Sequence, residues 1–163
     1  MSHLASATDF EPLLAPGLHV FSLEDLRRFC VDLFPHSKTR HNIMSGLESV
    51  CVRVNSAGIQ ADIWVNGSFL TKKENPNDSD IVVKIDATIA DNGTVIQKEI
   101  LEWIKSDLKQ EFLCDSYLMP IFPVDDPNHV LNDYHIAYWL KQFGFSRGNN
   151  YKGIAVVQTT GLT

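Results

Sequence analysis

Two acidic residues just before an apolar segment are the clearest candidates for chemistry in this sequence. Asp78 and Asp80 precede residues 81–85, an Ile-Val-Val-Lys-Ile run that is typical of a β-strand. Side chains two positions apart on a strand point to the same face and lie about 6.5–7 Å apart. Two carboxylates in that arrangement can bind Mg²⁺, which prefers oxygen ligands and often completes its shell with substrate phosphates. The pair therefore predicts a metal site.

A glycine followed by a serine predicts a phosphate site upstream of this pair. Residues 61–65 have the β-branched and aromatic composition of a strand, and they lead into Gly67 and Ser68. Because glycine has no Cβ, it adopts dihedral angles closed to other residues and lets a phosphate approach the backbone. Ser68 adds a hydroxyl at a place where exposed backbone N–H groups attract anions. A cation held by the aspartates would then also contact the phosphates.

The Gly67-Ser68 turn and the Asp78-Ser79-Asp80-Ile81 segment resemble the nucleotidyltransferase superfamily. Its members carry a Gly-Gly or Gly-Ser turn followed by a strand with two acidic residues. They include polymerase β-like enzymes, aminoglycoside nucleotidyltransferases and the minimal nucleotidyltransferases of toxin–antitoxin pairs. Ser79 departs from the pattern, since an apolar residue is more usual there.

A longer stretch, from Pro16 to Ile154, is similar to a small family of uncharacterised bacterial and phage nucleotidyltransferase-like proteins. The resemblance implies Mg²⁺- or Mn²⁺-dependent transfer of a nucleoside monophosphate from a nucleoside triphosphate to a hydroxyl of a protein, an RNA or a small molecule. It also implies a protein partner or acceptor, as in toxin–antitoxin and phage-defence modules. The features that carry it are Pro16-Gly17-Leu18-His19, the run from Gly67-Ser68 to Pro76-Asn77-Asp78, Tyr138-Trp139 before Phe143-Gly144, and Lys152-Gly153-Ile154.

The same resemblance implies a third carboxylate on a neighbouring strand, and Asp115 is the best candidate. It is a polar residue in an otherwise apolar predicted strand. In active relatives this residue completes the metal site with the two residues equivalent to Asp78 and Asp80, and helps to deprotonate the acceptor hydroxyl. The alternative for Asp115 is a residue at the edge of the sheet that faces water.

Two lysines are candidate phosphate ligands alongside Gly67 and Ser68. Lys73 lies in the loop between the turn and the aspartates, and Lys152 stands at the start of the last predicted strand. The alternative is a solvated loop for Lys73, and equally for Lys72, and a position that marks the edge of the sheet for Lys152. Arg147, in the loop before the last strand, is a weaker candidate of the same kind as Lys152.

A catalytically inactive module that binds a nucleotide or a protein through the same cleft is the alternative function. Many superfamily members keep the fold after losing the chemistry. The two hypotheses differ in whether turnover accompanies nucleotide binding.

Apolar periodicity predicts a single α/β (α+β) domain over residues 1–163, with a helix-breaking arm over residues 1–20. A small mixed β-sheet with helices packed on it, the nucleotidyltransferase fold, would hold the candidate residues. The predicted helices run from Ser22 to Pro35, from Ser37 or Thr39 to Asn55, from Val95 to Leu108 and from His129 to Phe143. The predicted strands cover residues 61–65, 81–85, 112–122 and 153–157.

Composition limits the classes of partner. A formal net charge of −6 disfavours a protein that binds nucleic acid over most of its surface. No apolar run reaches the roughly 20 residues that a membrane span requires. The three cysteines have no zinc spacing and are expected to be reduced core thiols of a cytoplasmic protein. Core positions are also expected for Trp64, Trp103 and Trp139. A solvated face is expected for Arg27, Arg28, Lys38, Arg40 and Arg53.

Overall fold

The computed structural model describes residues 9–160 and 162, which form a five-stranded mixed sheet with helices packed on it. The order across the sheet is β1-β5-β2-β3-β4, where β2 is antiparallel to β3 and β5, and the outer pairs are parallel. This confirms the predicted α/β class. The strands are β1 (Gly17–Val20), β2 (Ala61–Asn66), β3 (Ser79–Asp86), β4 (Cys114–Ile121) and β5 (Gly153–Gln158).

Six α-helices accompany the sheet in the part of the chain that is described. They are α1 (Leu23–Arg27), α2 (Arg40–Ser56), α3 (Ile89–Asn92), α4 (Val95–Lys105), α5 (Lys109–Phe112) and α6 (Asn132–Phe143). A π-helical turn over Arg28–Asp32 extends α1, and 3₁₀ turns cover Ser68–Leu70 and Pro127–Leu131. None of the helices among the described residues is long and apolar enough to cross a membrane.

Two of the six described α-helices, α1 and α4, begin with a side-chain cap. The Ser22 hydroxyl accepts the N–H of Asp25 at 3.0 Å, as the predicted N-cap requires. Thr94 and Gln97 form a reciprocal capping box at the start of α4. The helix predicted from Val95 to Leu108 is too long at its C-terminus. The α4 helix ends at Lys105, because Ser106 adopts β-type dihedral angles.

The predicted arm over residues 1–20 is wrong for its last four residues, which form β1. They pair in parallel with the first four residues of β5, and the N–H of Phe21 donates to Val156 O at 2.9 Å. Pro16 and Gly17 exclude a helix but not a strand. The strand forms because it pairs with β5, which lies more than 130 positions away in the chain. Residues 1–8 of the predicted arm lie outside the described part of the chain.

The sheet buries its two faces unequally. One face packs under α1, α2 and α4 and forms the larger core, which includes the three cysteines. All three are buried and free, as the sequence predicted. The other face, here called the α6 face, carries the smaller cluster of Trp64, Val82, Met119, Phe143, Ile154 and Val156. Because α6 covers only part of this face, one end of it stays open.

Candidate active site

The open end of the α6 face is a cleft of about 680 Å³. It is bounded by the end of β2, the starts of β3 and β4, α6, and the loop before β5. The cleft is lined by all seven site residues predicted from the sequence: Gly67, Ser68, Lys73, Asp78, Asp80, Asp115 and Lys152.

Strand register brings the carboxylates together. Asp80 is the register partner of Asn66 in β2 and of Asp115 in β4. Register partners on neighbouring strands point to the same face of the sheet. Asp78 lies immediately before β3 and reaches the same cleft.

The glycine turn lies directly against Asp80. Gly67 has φ 85° and ψ −169°, a conformation restricted almost entirely to glycine. A Cβ at this position would stand 2.8 Å from Asp80 Oδ2 and 3.2 Å from the Asp80 backbone nitrogen. The predicted proximity of turn and carboxylate is therefore present, and no larger residue fits between them.

Asn66 holds this turn in place, a role that sequence reasoning missed. Its side chain is buried, accepts the N–H of Gly67 at 2.7 Å and donates to Gly153 O at 2.9 Å. The amide thereby ties the turn to the first residue of β5, next to Lys152. The available signal was a polar residue at the end of a buried strand.

Asp80 is the carboxylate most perturbed by its surroundings. Burial raises its pKa, and the nearby Asp78 and Asp115 raise it further, while Lys152 and Lys109 act in the opposite direction. Desolvation and like charge both disfavour the ionised form of an acid. A cation in the cleft would relieve this unfavourable electrostatic environment.

The other two carboxylates already have partners. Asp78 forms an ion pair with Lys109 at 3.0 Å, which raises the pKa of that lysine. Asp115 Oδ2 accepts the Tyr117 hydroxyl at 3.1 Å. Within residues 9–160 and 162, no group of three or more His, Cys, Asp or Glu side chains is arranged to hold a metal ion. Asp115 therefore shares the cleft with the aspartate pair without completing a three-ligand set.

The donor atoms present nevertheless fit Mg²⁺. Magnesium is usually bound by one or two carboxylates, with substrate phosphates and water filling the remaining positions. Asp78 and Asp80 supply two carboxylates beside a glycine turn, and Lys109 is an exposed side chain that can leave Asp78.

Basic residues line the cleft together with the carboxylates. Lys152 is half-buried, and burial lowers its pKa while Asp80 and Asp9 act to raise it. Lys73 and Arg147 line the same cleft, whereas Lys72 pairs with Glu11 at 2.8 Å, away from it.

The residue that positions the loop after the turn is Arg40, which was wrongly expected on a solvated face. Arg40 is fully buried. Its guanidinium donates to the backbone carbonyls of Cys30, Phe69, Thr71 and Lys73. No sequence pattern distinguishes it from its exposed basic neighbours, because its burial depends on where the loop folds.

Three aromatic residues form a further wall of the cleft. Trp64 is a core residue, as predicted, but Trp139 is half-buried and lines the cleft with Tyr117 and Tyr138. The rings of Tyr117 and Trp139 lie 5.1 Å apart, and those of Tyr138 and Trp139 lie 5.2 Å apart. The expectation of a core position for Trp139 is thus only half right.

Replacing Asp80 by Asn should raise the melting temperature. The folded-state pKa of this acid is raised, so the native state binds a proton more readily than the unfolded chain, and stability is lost as pH rises from the unfolded pKa through the folded one. At neutral pH the variant avoids this loss. Scanning calorimetry at pH 7 and pH 4 should show an increase of a few degrees at pH 7, about the shift that 1 kcal/mol produces, and a smaller one at pH 4. The exposed Asp125→Asn variant is the control, and an equal shift in both variants contradicts the prediction.

Residues 7–158 match a family model described as a family of unknown function, DUF6932. No curated protein and no solved structure shows a significant match to the chain.

Proposed function

The chain belongs to the DUF6932 family, and we propose that it is a Mg²⁺-dependent nucleotidyltransferase that moves a nucleoside monophosphate from a nucleoside triphosphate to an acceptor hydroxyl. One observation carries the proposal. The Asp80 carboxylate lies against the Gly67 turn, close to Asp78 and Asp115, in a cleft that also holds basic side chains.

The triphosphate is bound by the turn and the basic residues of the cleft. The backbone at Gly67 allows a phosphate to approach closely, and the Ser68 hydroxyl can donate to it. Lys73 and Lys152 neutralise its negative charge. Asp78 and Asp80 would hold the Mg²⁺ ion, which would neutralise negative charge on the phosphate oxygens.

The transfer exchanges one phosphorus–oxygen bond for another. The acceptor oxygen bonds to the α-phosphorus, and the bond from that phosphorus to the bridging oxygen of the β-phosphate breaks. Pyrophosphate leaves with the electron pair, and Asp115 takes the proton of the acceptor hydroxyl. In the free protein Asp115 accepts a hydrogen bond from Tyr117, so a hydroxyl at this position is compatible with its surroundings.

Label transfer from α-labelled nucleoside triphosphates tests the proposal. Wild-type protein with Mg²⁺ should label a protein, RNA or small-molecule fraction of a cell extract, whereas Asp78→Ala should reduce incorporation to background because a metal ligand is lost. The exposed Asp125→Ala variant should label like wild type. Equal incorporation by wild type and Asp78→Ala would contradict the proposal.

The second candidate is a catalytically inactive module that binds a nucleotide or a protein, and the Asp78–Lys109 ion pair favours it. In the free protein the Lys109 ammonium occupies the Asp78 carboxylate, so a metal ion could bind there only after this ion pair breaks. Under this hypothesis ATP with Mg²⁺ raises the melting temperature without pyrophosphate release. Release of pyrophosphate that Asp78→Ala abolishes would exclude it.

A further inference from the structure

We propose that the aromatic corner formed by Tyr117, Tyr138 and Trp139 binds the base of the nucleotide; this rests on the proposed function. Two of the three rings of the corner are largely exposed, and the third joins them to the core. Tyr117 and Tyr138 are 42% and 45% exposed, and both contact Trp139, which packs inward against Phe143.

The shape of the corner suits a flat ring. The planes of Tyr138 and Trp139 meet at 86°, so a base stacked on one ring lies nearly perpendicular to the other. Stacked and edge-to-face arrangements are the preferred geometries of aromatic pairs. Gln142 lies on the same side of α6 as Tyr138 and Trp139, and its amide can both donate to and accept from the edge of a base.

Lys152 and the aromatic corner lie on different sides of the cleft. Lys152 precedes β5, whereas Tyr117 belongs to β4, with β2 and β3 between them. Three strand spacings amount to about 14 Å. The carboxylate of Asp80 lies between these two sides, on β3. A nucleoside triphosphate has the same layout, with a flat base at one end and anionic phosphates at the other.

A general apolar ligand fits this cleft less well. Eight of the residues that line this cavity carry charged side chains: Asp9, Lys73, Asp78, Asp80, Lys109, Asp115, Arg147 and Lys152. An apolar peptide would desolvate these groups without pairing them, which costs free energy. A nucleotide pairs the lysines and brings a metal ion to the carboxylates.

Binding measurements on a matched pair of tyrosines test this inference. Tyr134 and Tyr138 are one turn apart on α6, and Tyr134 is exposed outside the cleft. The ligands are an ATP analogue that cannot transfer its α-phosphate, the equivalent CTP analogue, and tripolyphosphate, each with Mg²⁺ in a calorimetric titration.

Tyr138→Ala should weaken the ATP analogue by about ten-fold or more, because stacking on an aromatic side chain contributes that much per base. Binding of tripolyphosphate should not change, and Tyr134→Ala should behave like wild type with every ligand. The purine analogue should bind more tightly than the pyrimidine analogue because its larger ring offers more stacking surface.

Three results would overturn the base site: an ATP analogue that binds no more tightly than tripolyphosphate, equal affinities in the two tyrosine variants, or no binding of either ligand. The outcome is separable from that of the transfer reaction. Base-dependent binding without label transfer would support the base site and contradict the proposed transfer reaction. Label transfer, with an affinity for the ATP analogue that is unchanged in Tyr138→Ala, would support the transfer reaction and contradict the base site.

Discussion

Arg40→Met should destabilise the fold by about 3–5 kcal/mol, because several buried backbone carbonyls lose the hydrogen bonds of one guanidinium. The guanidinium is fully buried, with Phe34 stacked 3.7 Å from its central carbon. It satisfies carbonyls from two segments, Cys30 at the end of the first helical region and Phe69, Thr71 and Lys73 after the glycine turn.

The loss of stability in Arg40→Met arises from the buried carbonyls that no longer have a hydrogen-bond donor. Methionine fills most of the volume but donates no hydrogen bond, so several buried carbonyls lose their partner, at about 1–3 kcal/mol each where no water reaches them. Urea unfolding followed by circular dichroism should show the loss, together with a fall in the melting temperature on the order of 10 °C.

The control is Arg28→Met, because that guanidinium is 64% exposed. A substitution at such a site should stay within about 0.5 kcal/mol of wild type. Arg40→Lys should fall between the two, since lysine keeps the charge but not the planar set of five donors. If Arg40→Met unfolds at the same urea concentration as Arg28→Met, the hydrogen bonds from Arg40 to the buried carbonyls do not contribute to stability.

Gly67→Ala should abolish label transfer while costing only about 1–3 kcal/mol of stability, the usual strain of a residue forced into this backbone conformation. The activity is lost for a separate reason. The new Cβ would stand 2.8 Å from Asp80 Oδ2, so the carboxylate must leave its position.

Gly58→Ala separates these two effects. Gly58 also has a positive φ, 73°, but a Cβ there meets only the flexible end of Gln97 at 3.7 Å. The left-handed conformation should cost about 1–2 kcal/mol without any change in transfer. Thermal unfolding and label transfer, measured on both variants, give the comparison. If Gly67→Ala transfers label as well as Gly58→Ala, the contact between turn and carboxylate has no role in the reaction.

Most of the local structure could be predicted because it depends on neighbouring residues. The Ser22 cap and the apolar strands are encoded within a few positions, and the observed elements follow them. Boundaries were less accurate. The helix predicted from His129 begins as a 3₁₀ turn at Pro127 and becomes α-helical only at Asn132, and the short α3 was not predicted.

Some residues of the candidate site were identified from the sequence, whereas their contacts with other segments were not. The Gly67-Ser68 turn and the Asp78 and Asp80 pair were identified from their spacing alone, while Asp115 was assigned through a resemblance. The partners that surround them were not predictable. Lys109 lies 31 positions from Asp78 along the chain, and nothing in its helical surroundings indicates the ion pair.

The sequence by itself determined the α/β class, the glycine turn and the acidic pair, because these follow from residue type and short-range spacing. Tertiary structure alone decided that residues 17–20 form a strand, that Arg40 is buried, that Asn66 links the turn to β5, and that one of three tryptophans faces the cleft. Each of these depends on contacts between segments far apart in the chain. Local composition does not specify such contacts, since they form only when the strands pair and the helices pack.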